Sequence, residues 1–238
     1  MKKSRKVLIG VAIGVLVLGG AAAVAGPIIY RDFIAAPAAE APTLSGDANM
    51  LDSSTASGSP LDPTQLAGEW SVATGSEAGY RVNEVLNGTD VTVTGRTNKV
   101  EGTFKIDDSG LTLQATDLTV DVASIATDSG SRDAYFRDQA LRTSENPTAT
   151  FKLTAPVTLK SAPNSGDVVK ADATGDLTIA GVTKPVTASV EVRSDGTTAE
   201  IAGSIPITFQ DFGVTAPSLG FVSVEPTGFV EFQLNATH

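Results

Sequence analysis

Few of the residue types that carry enzymatic chemistry are available in this chain. Its 238 residues include no cysteine and one histidine, His238. Without cysteine there is no thiol nucleophile, no disulfide and no cysteine-rich zinc site. A Ser-His-Asp triad would have to recruit the final residue, where the backbone is expected to fray. The composition therefore disfavours nucleophilic catalysis.

The acidic residues do not form a recognisable catalytic or metal-binding pattern either. Asp107 and Asp108 are adjacent, but Ser109-Gly110 follow them, and this composition predicts a β-turn rather than a pair of hydrolytic carboxylates. Asp117 and Asp121 lack the spacing of a dedicated calcium loop. We expect a protein that is not an enzyme and that uses no metal and no cofactor.

The charge distribution separates one end of the chain from the rest. Acidic residues outnumber basic ones by 27 to 17, which gives a net charge of −10. Four of the basic residues lie together at the start, at Lys2, Lys3, Arg5 and Lys6, so the remainder is more acidic than the net charge suggests. Such a surface repels phosphate backbones, and no nucleic-acid partner is expected.

An uncharged stretch follows the basic residues 1–6. Residues 7–30 are long enough as a helix to cross the hydrocarbon core of a bilayer. The preceding positive charges predict that residues 1–6 are a cytoplasmic tail and that everything after residue 30 is extracytoplasmic. The alternative is a signal peptide cut near Ala25, because Ala23-Val24-Ala25 has the required small-x-small form. We favour a retained single-pass anchor in the cell membrane over the secreted form.

Residues 31–66 are rich in alanine, serine and proline and poor in large apolar side chains. A segment of this composition cannot bury enough apolar surface to fold alone. It is predicted to be a flexible linker between the anchor and a folded domain at 67–238.

Residues 67–238 have the pattern of an all-β domain. Apolar and polar side chains alternate, as in half-buried strands, over Val91–Thr94, Val100–Ile106, Leu111–Ala115, Leu118–Val122, Val186–Val192, Ile201–Phe209 and Val230–Leu234. Turn signals separate the strands, and the total predicts one antiparallel domain, either a closed barrel or a two-sheet sandwich. Ser131–Leu141 does not alternate, and it predicts a short helix that ends before Asn146-Pro147.

Four sequence blocks resemble the YceI-like proteins, a lipid-binding family also described as polyisoprenoid-binding. The first block contains Trp70, Ser76 and Tyr80; the second contains Thr127, Arg132-Asp133, Tyr135-Phe136, Leu141 and Pro147–Phe151; the third is Gly175–Val186; the fourth is Asp211-Phe212-Gly213. The resemblance implies an extended eight-stranded antiparallel barrel of lipocalin-like shape, with a short helix near one opening. It also implies that a long apolar chain is held in the bore.

The candidate site residues fall into two groups. The cavity-lining candidates are Tyr80, Val82, Phe104, Val120, Phe136, Leu141, Phe151, Ile179, Phe209, Phe212 and Phe229. The candidates for the mouth, where a lipid head group would lie, are Ser76, Glu84, Arg132, Asp133 and Gln210. Two of these depart from the resemblance, since Glu84 stands where the family often has His and Gln210 where it often has Arg. Losing those cations favours a neutral head group over a diphosphate.

These observations support a membrane-tethered lipid-binding protein that holds an isoprenoid, a quinone or another apolar lipid for transport, storage or sequestration. Its partners are the lipid and the membrane, and the sequence leaves the oligomeric state open. The alternative is a non-catalytic cell-envelope interaction module whose β core is filled by its own side chains, because strand number alone does not decide whether a barrel is hollow.

Overall fold

The computed structural model describes residues 38–44, 58–86, 88–218, 220 and 222–238. The predicted cytoplasmic tail 1–6 and the predicted anchor 7–30 lie outside these ranges. Within the ranges, no helix has the length and apolar character needed to span a bilayer.

Eleven strand segments make up the sheet. They are β1 (Gly68–Val72), β2 (Glu77–Leu86), β3 (Thr89–Thr97), β4 (Val100–Ile106), β5 (Thr112–Asp121), β6 (Thr148–Leu153), β7 (Val157–Thr158), β8 (Val169–Ile179), β9 (Val182–Ser194), β10 (Thr198–Thr208) and β11 (Val222–Thr237). Every pairing between them is antiparallel.

The sheet closes on itself because β1 pairs with β4 on one side and with β11 on the other. Three pairs of segments each form one strand of the barrel. They are β1 with β2, β3 with β4, and β6 with β7, the last two of which both pair with β5. The eleven segments therefore form an eight-stranded antiparallel barrel. The barrel prediction is confirmed, and the two-sheet sandwich is wrong.

One end of the barrel, called the helix end below, carries the short helix Gly130–Tyr135 and a π-helical turn, Phe136–Ala140. Ser129 caps the helix, and its hydroxyl accepts a hydrogen bond from the backbone N–H of Arg132. The predicted helix is therefore confirmed, although its second half is π-helical. Leu141, directly after it, is buried in the core.

The opposite end, called the tryptophan end below, is closed by packed apolar side chains. Leu61, Leu66, Trp70 and Leu234 form one buried cluster. The indole N–H of Trp70 donates to the carbonyl oxygen of Leu66 at 3.0 Å, and the ring of His238 lies 5.2 Å from the indole.

This packing corrects the predicted linker boundary. Residues 58–66 belong to the barrel, since the backbone of Pro60 bridges to Asn164 and the helix Pro63–Leu66 is capped by Asp62. The sequence did not predict the packing of residues 58–66 because Leu61 and Leu66 are isolated apolar residues in a proline-rich, polar context. Only the closed end of the barrel gives them an apolar surface to cover.

The predicted turn at Asp107 is confirmed. Its carboxylate accepts hydrogen bonds from the Ser109 hydroxyl at 2.6 Å and the Thr112 backbone N–H at 3.2 Å. These hydrogen bonds lower the pKa of the Asp107 carboxyl. Asp107 is thus a turn residue rather than half of a hydrolytic pair.

Candidate functional site

The barrel encloses two apolar compartments in series. The compartment at the tryptophan end has a volume of about 280 Å³, and the one at the helix end about 520 Å³. Both lie in or near the size range of small-molecule sites. The two compartments share lining residues at mid-barrel, namely Ala78, Val120, Ala149, Ile179 and Val230. The two compartments therefore adjoin along the barrel axis, and together they are called the bore below. This apolar space argues against a filled core.

Glycines help to keep the bore open where aromatic residues line it. A Cβ at Gly175 would meet the ring of Phe151 at 2.4 Å, and one at Gly203 would meet the ring of Phe232 at 2.5 Å. Each ring thus lies against the wall, in the space that a missing side chain leaves. A phenylalanine placed in this way contributes apolar lining without filling the axis.

The lining of the tryptophan-end compartment is almost entirely hydrocarbon. Aliphatic residues from β4, β5, β8, β9 and β10 line it, among them Val100, Ile106, Leu118, Leu177, Val190, Val192 and Ile201. Trp70 and Leu66 close its far end. Among the described residues that line this half of the bore, the charged one is Asp167, which is exposed.

The helix-end compartment contains an aromatic pair and a tyrosine hydroxyl. The rings of Tyr80 and Phe136 are stacked, with centroids 5.0 Å apart. Burial raises the pKa of the Tyr80 hydroxyl above its ordinary value, so the phenol remains neutral. Among the described residues, none forms a hydrogen bond with this hydroxyl. It is therefore available to a ligand.

An ion pair lies in the same compartment. Glu84 faces the bore and is only 6% exposed, and its carboxylate accepts a hydrogen bond from Arg132 at 3.1 Å. Arg132 also donates to Asp128 at 2.6 Å. Burial opposes the charge on Arg132, but the carboxylates of Glu84 and Asp128 outweigh it and raise the pKa of the guanidinium. The cation is thus permanent and already shared between two carboxylates.

The comparisons with known proteins agree with this architecture. A family model described as the YceI-like domain matches residues 70–236. The chain belongs to the YceI-like family.

Curated relatives are similar over part of their length. The chain is 34% identical over 127 residues to a UPF0312 protein of Pseudomonas aeruginosa (strain LESB58), a match covering 50% of this chain and 62% of that protein. It is 35% identical over 97 residues to Protein YceI of Escherichia coli O157:H7, covering 40% of this chain and 47% of that protein. Each match thus spans less than two thirds of the relative.

Solved structures share the fold. A polyisoprenoid binding domain from Saccharophagus degradans, implicated in plant cell wall breakdown, superposes with a TM-score of 0.55 at 19% identity, covering 71% of this chain and 97% of that one. BcnA from Burkholderia cenocepacia superposes with a TM-score of 0.53 at 25% identity, covering 66% and 96%.

The YceI-like block around Thr127 now has a structural explanation. The carboxylate of Asp133 accepts hydrogen bonds from the backbone N–H of Thr127 at 2.9 Å and from its hydroxyl at 2.7 Å. This pairing fixes the loop that leads into the helix. The neighbouring Arg132 is thereby directed towards Glu84.

Ten of the eleven predicted lining residues do line the bore. Phe104 and Phe151 lie in the tryptophan-end compartment; Val120 and Ile179 lie at the junction; Tyr80, Val82, Phe136, Leu141, Phe209 and Phe212 lie in the helix-end compartment. Contact between these residues and a ligand stays a prediction.

Phe229 is the exception, because it is 45% exposed on the outer wall. Its neighbour Val230 lines the bore. Since side chains alternate along a strand, Phe229 must point outward. Placing it among the lining residues was wrong.

The five residues predicted for the mouth lie in different parts of the barrel. Glu84 and Arg132 line the helix-end compartment, whereas Asp133 is buried in its bond to Thr127 and Gln210 lies exposed on the turn Phe209–Phe212. Ser76 lies at the opposite end of β2 from Glu84, about 26 Å away at 3.3 Å per residue. Its hydroxyl donates to the backbone of Ala73, so it acts in a turn.

The sequence analysis also missed part of the lining. Trp70, Leu177, Val190, Phe232 and Leu234 all face the bore. Strand alternation was the available signal, because Val190, Phe232 and Leu234 are apolar positions of the alternating runs Val186–Val192 and Val230–Leu234. Leu177 likewise shares the parity of Ile179 on β8. The selection had concentrated on phenylalanines instead.

Proposed function

We propose that this protein is an extracytoplasmic, membrane-tethered lipid-binding protein that holds one long-chain apolar molecule for transport, storage or sequestration. The observation that carries the proposal is the pair of adjoining compartments inside the barrel, whose walls are almost entirely hydrocarbon from the junction to Trp70. The fold shared with a polyisoprenoid binding domain supports the same class of ligand.

The driving force for occupancy is hydrophobic. Each methylene moved from water into an apolar site gains about 0.8 kcal/mol. A chain that fills both compartments therefore needs no charged partner for affinity. Polar groups at the helix end then act mainly in selecting the head group.

The polar groups of the helix end favour a neutral head group. Glu84 and Asp128 already neutralise Arg132, so an added diphosphate would meet two carboxylates as well as the guanidinium. A hydroxyl, an amide or a quinone carbonyl would instead pair with the Tyr80 hydroxyl. We therefore assign an isoprenoid alcohol, a quinone or a fatty amide in preference to a phosphorylated isoprenoid.

The membrane part of the proposal is supported by the sequence alone. Residues 7–30 carry no charge and follow a basic cluster, as in an anchor whose following domain is exported. The intact mass of the exported protein tests this. A mature form beginning at Gly26 would show cleavage and refute the retained anchor.

The bore is tested by extracting lipid from the purified protein and identifying it by mass spectrometry. We expect about one apolar lipid per chain. The variant Ala149→Phe places a ring at the junction of the compartments and should lower occupancy at least tenfold. The control Ala115→Phe adds the same ring at an exposed position and should retain the lipid. Absence of lipid from the wild type, or equal occupancy in both variants, would refute the proposal.

The head-group assignment needs a matched pair of ligands. Geranylgeraniol and geranylgeranyl diphosphate have the same chain and differ only at the head. We expect tighter binding of the alcohol by delipidated wild type, and a smaller preference in Glu84→Gln, because that variant removes one of the two carboxylates that neutralise Arg132. A wild type that prefers the diphosphate would contradict the assignment while leaving the bore itself supported.

A further inference from the structure

A buried charged cluster lies on the outside of the barrel, where lipid binding has no use for it. Glu231 points outward, because its neighbours Val230 and Phe232 line the bore, yet it is only 3% exposed. Its carboxylate pairs with Arg81 at 2.7 Å and with Arg96. Carboxylates on a barrel wall are normally solvated, so this one points to a specific use of the surface.

The Arg81 side chain extends from this cluster to a separate segment of the chain. While its Nε is held by Glu231, its Nη2 donates to the carbonyl oxygen of Ala39 at 2.6 Å. The Thr94 hydroxyl accepts a hydrogen bond from the Ala39 N–H at 3.0 Å. Arg81 and Thr94 are direct cross-strand partners on β2 and β3. Both polar backbone groups of Ala39 are thus bound by one pair of wall residues.

The contacted segment, residues 38–44, runs over a groove on the same wall. Ala41, Pro42 and Thr43 form one side of this groove, and the wall beneath has small outward residues such as Ser189 and Ser204. Small side chains leave room for a crossing backbone. The segment 38–44, which comes from the predicted linker, therefore runs along the wall as one rim of this groove.

We infer that residues 38–44 act as a strap that fastens the barrel to the membrane-proximal part of its own chain. The consequence for the distance between the bore and the bilayer rests on the proposed anchor. The docking of residues 38–44 on the barrel does not depend on that anchor. With Ala39 bound, the eight residues 31–38 join the predicted anchor to the strap, and even a fully extended chain of that length spans at most about 28 Å. Released, the 27 residues 31–57 join the anchor to the barrel, and the same limit is about 95 Å. The strap thus sets how closely the bore is held to the bilayer.

Amide hydrogen exchange in the full-length chain in nanodiscs tests the docking. We expect exchange of the Ala39 amide to be slowed at least tenfold relative to an unstructured peptide. Thr94→Val removes the acceptor, and Arg81→Gln removes the charged donor; both should restore fast exchange. Thr119→Val changes an outer-wall threonine of β5 away from the strap and should leave the protection intact. Fast exchange of Ala39 in the wild type would overturn the inference.

Fluorescence energy transfer to a labelled lipid tests the consequence. The chain lacks cysteine, so Val168→Cys on the exposed surface gives a single labelling site. The mean distance to the bilayer should increase by roughly 10 Å or more when Thr94→Val and Arg81→Gln are added, because releasing the strap lengthens the reach of the tether. An unchanged distance with restored Ala39 exchange would refute the short-tether role. Failure of the chain to enter nanodiscs would refute the anchor instead, and Ala39 exchange measured on the full-length chain outside nanodiscs would still decide the docking.

Discussion

The two ends of the barrel line the same bore with different kinds of side chain. At the tryptophan end, Trp70 is 3% exposed and packs with Leu66 and Leu234 into a closed apolar cluster. At the helix end, Tyr80, Glu84 and Arg132 place a hydroxyl and an ion pair beside hydrocarbon. One end is built for stability and the other for selecting what enters. The comparison indicates that changes at the first should mainly affect unfolding and changes at the second mainly affect ligand choice.

The largest expected effect is at the closed end. Trp70→Ala removes a buried aromatic ring and the hydrogen bond to Leu66, and it should cost about 3 to 5 kcal/mol of unfolding free energy. Urea unfolding followed by circular dichroism measures this. Phe229→Ala, the matched control on the outer wall, should cost well under 1 kcal/mol. Similar losses for the two variants would mean that the tryptophan end is not the packed end.

A smaller loss is expected from breaking the ion pair at the helix end. Glu84→Ala removes one of the two carboxylates that neutralise Arg132 and should cost about 1 to 3 kcal/mol. Glu225→Ala removes an exposed carboxylate on β11 and should be nearly neutral. The same urea experiment compares them. If the two variants lost the same amount, the Glu84–Arg132 pair would have no structural role.

Tyr80 gives the helix end a dependence on alkaline pH. Burial raises its pKa in the folded protein, so above pH 10, the ordinary pKa of tyrosine, the unfolded chain ionises while the folded one resists. The contribution of neutral Tyr80 to the free energy of unfolding is intact below pH 10. It is lost above pH 10, at about 1.4 kcal/mol per pH unit. Tyr80→Phe lacks this loss, so its stability relative to wild type should rise between pH 9 and pH 11. A constant difference would show that Tyr80 is accessible to water.

The smallest effect is expected at the junction. Val120→Ala removes two methyl groups that line both compartments and pack only partly against the core. Delipidated protein should therefore lose only about 1 kcal/mol or less of unfolding free energy, compared with about 2 to 5 kcal/mol for Leu234→Ala at the closed end. Bound lipid would contact Val120, so the variant should lose more unfolding free energy with lipid bound than without it. A loss above about 2 kcal/mol without lipid would indicate a filled bore.

Strand alternation predicted the barrel well because it is a local signal. Val100–Ile106 was predicted with the bounds that β4 has in the structure. Two predicted strands, Leu111–Ala115 and Leu118–Val122, are one strand, β5. Their alternation is out of phase because a bulge separates them, where Lys105 pairs with Ala115 but Ile106 pairs with Leu113.

Contacts between distant segments were not predictable in the same way. The bond from Asp133 to Thr127 could be suspected only from the shared motif, and the docking of Ala39 on Arg81 has no local signature. Phe229 was misplaced because residue type was weighed above strand parity. The packing of Leu61 depends on the closed end of the barrel, which exists only once the sheet has closed.

Because Trp70 and Leu66 close one end, the bore limits the length of the lipid tail that it can hold. Each added carbon unit gains affinity while it moves deeper along the wall, and the gain stops when the tail reaches the indole. A tail longer than this must leave its excess in water beyond the helix end or fold back on itself. We therefore expect affinity within a homologous series to rise with chain length and then level off, with the break set by the distance from Glu84 to Trp70.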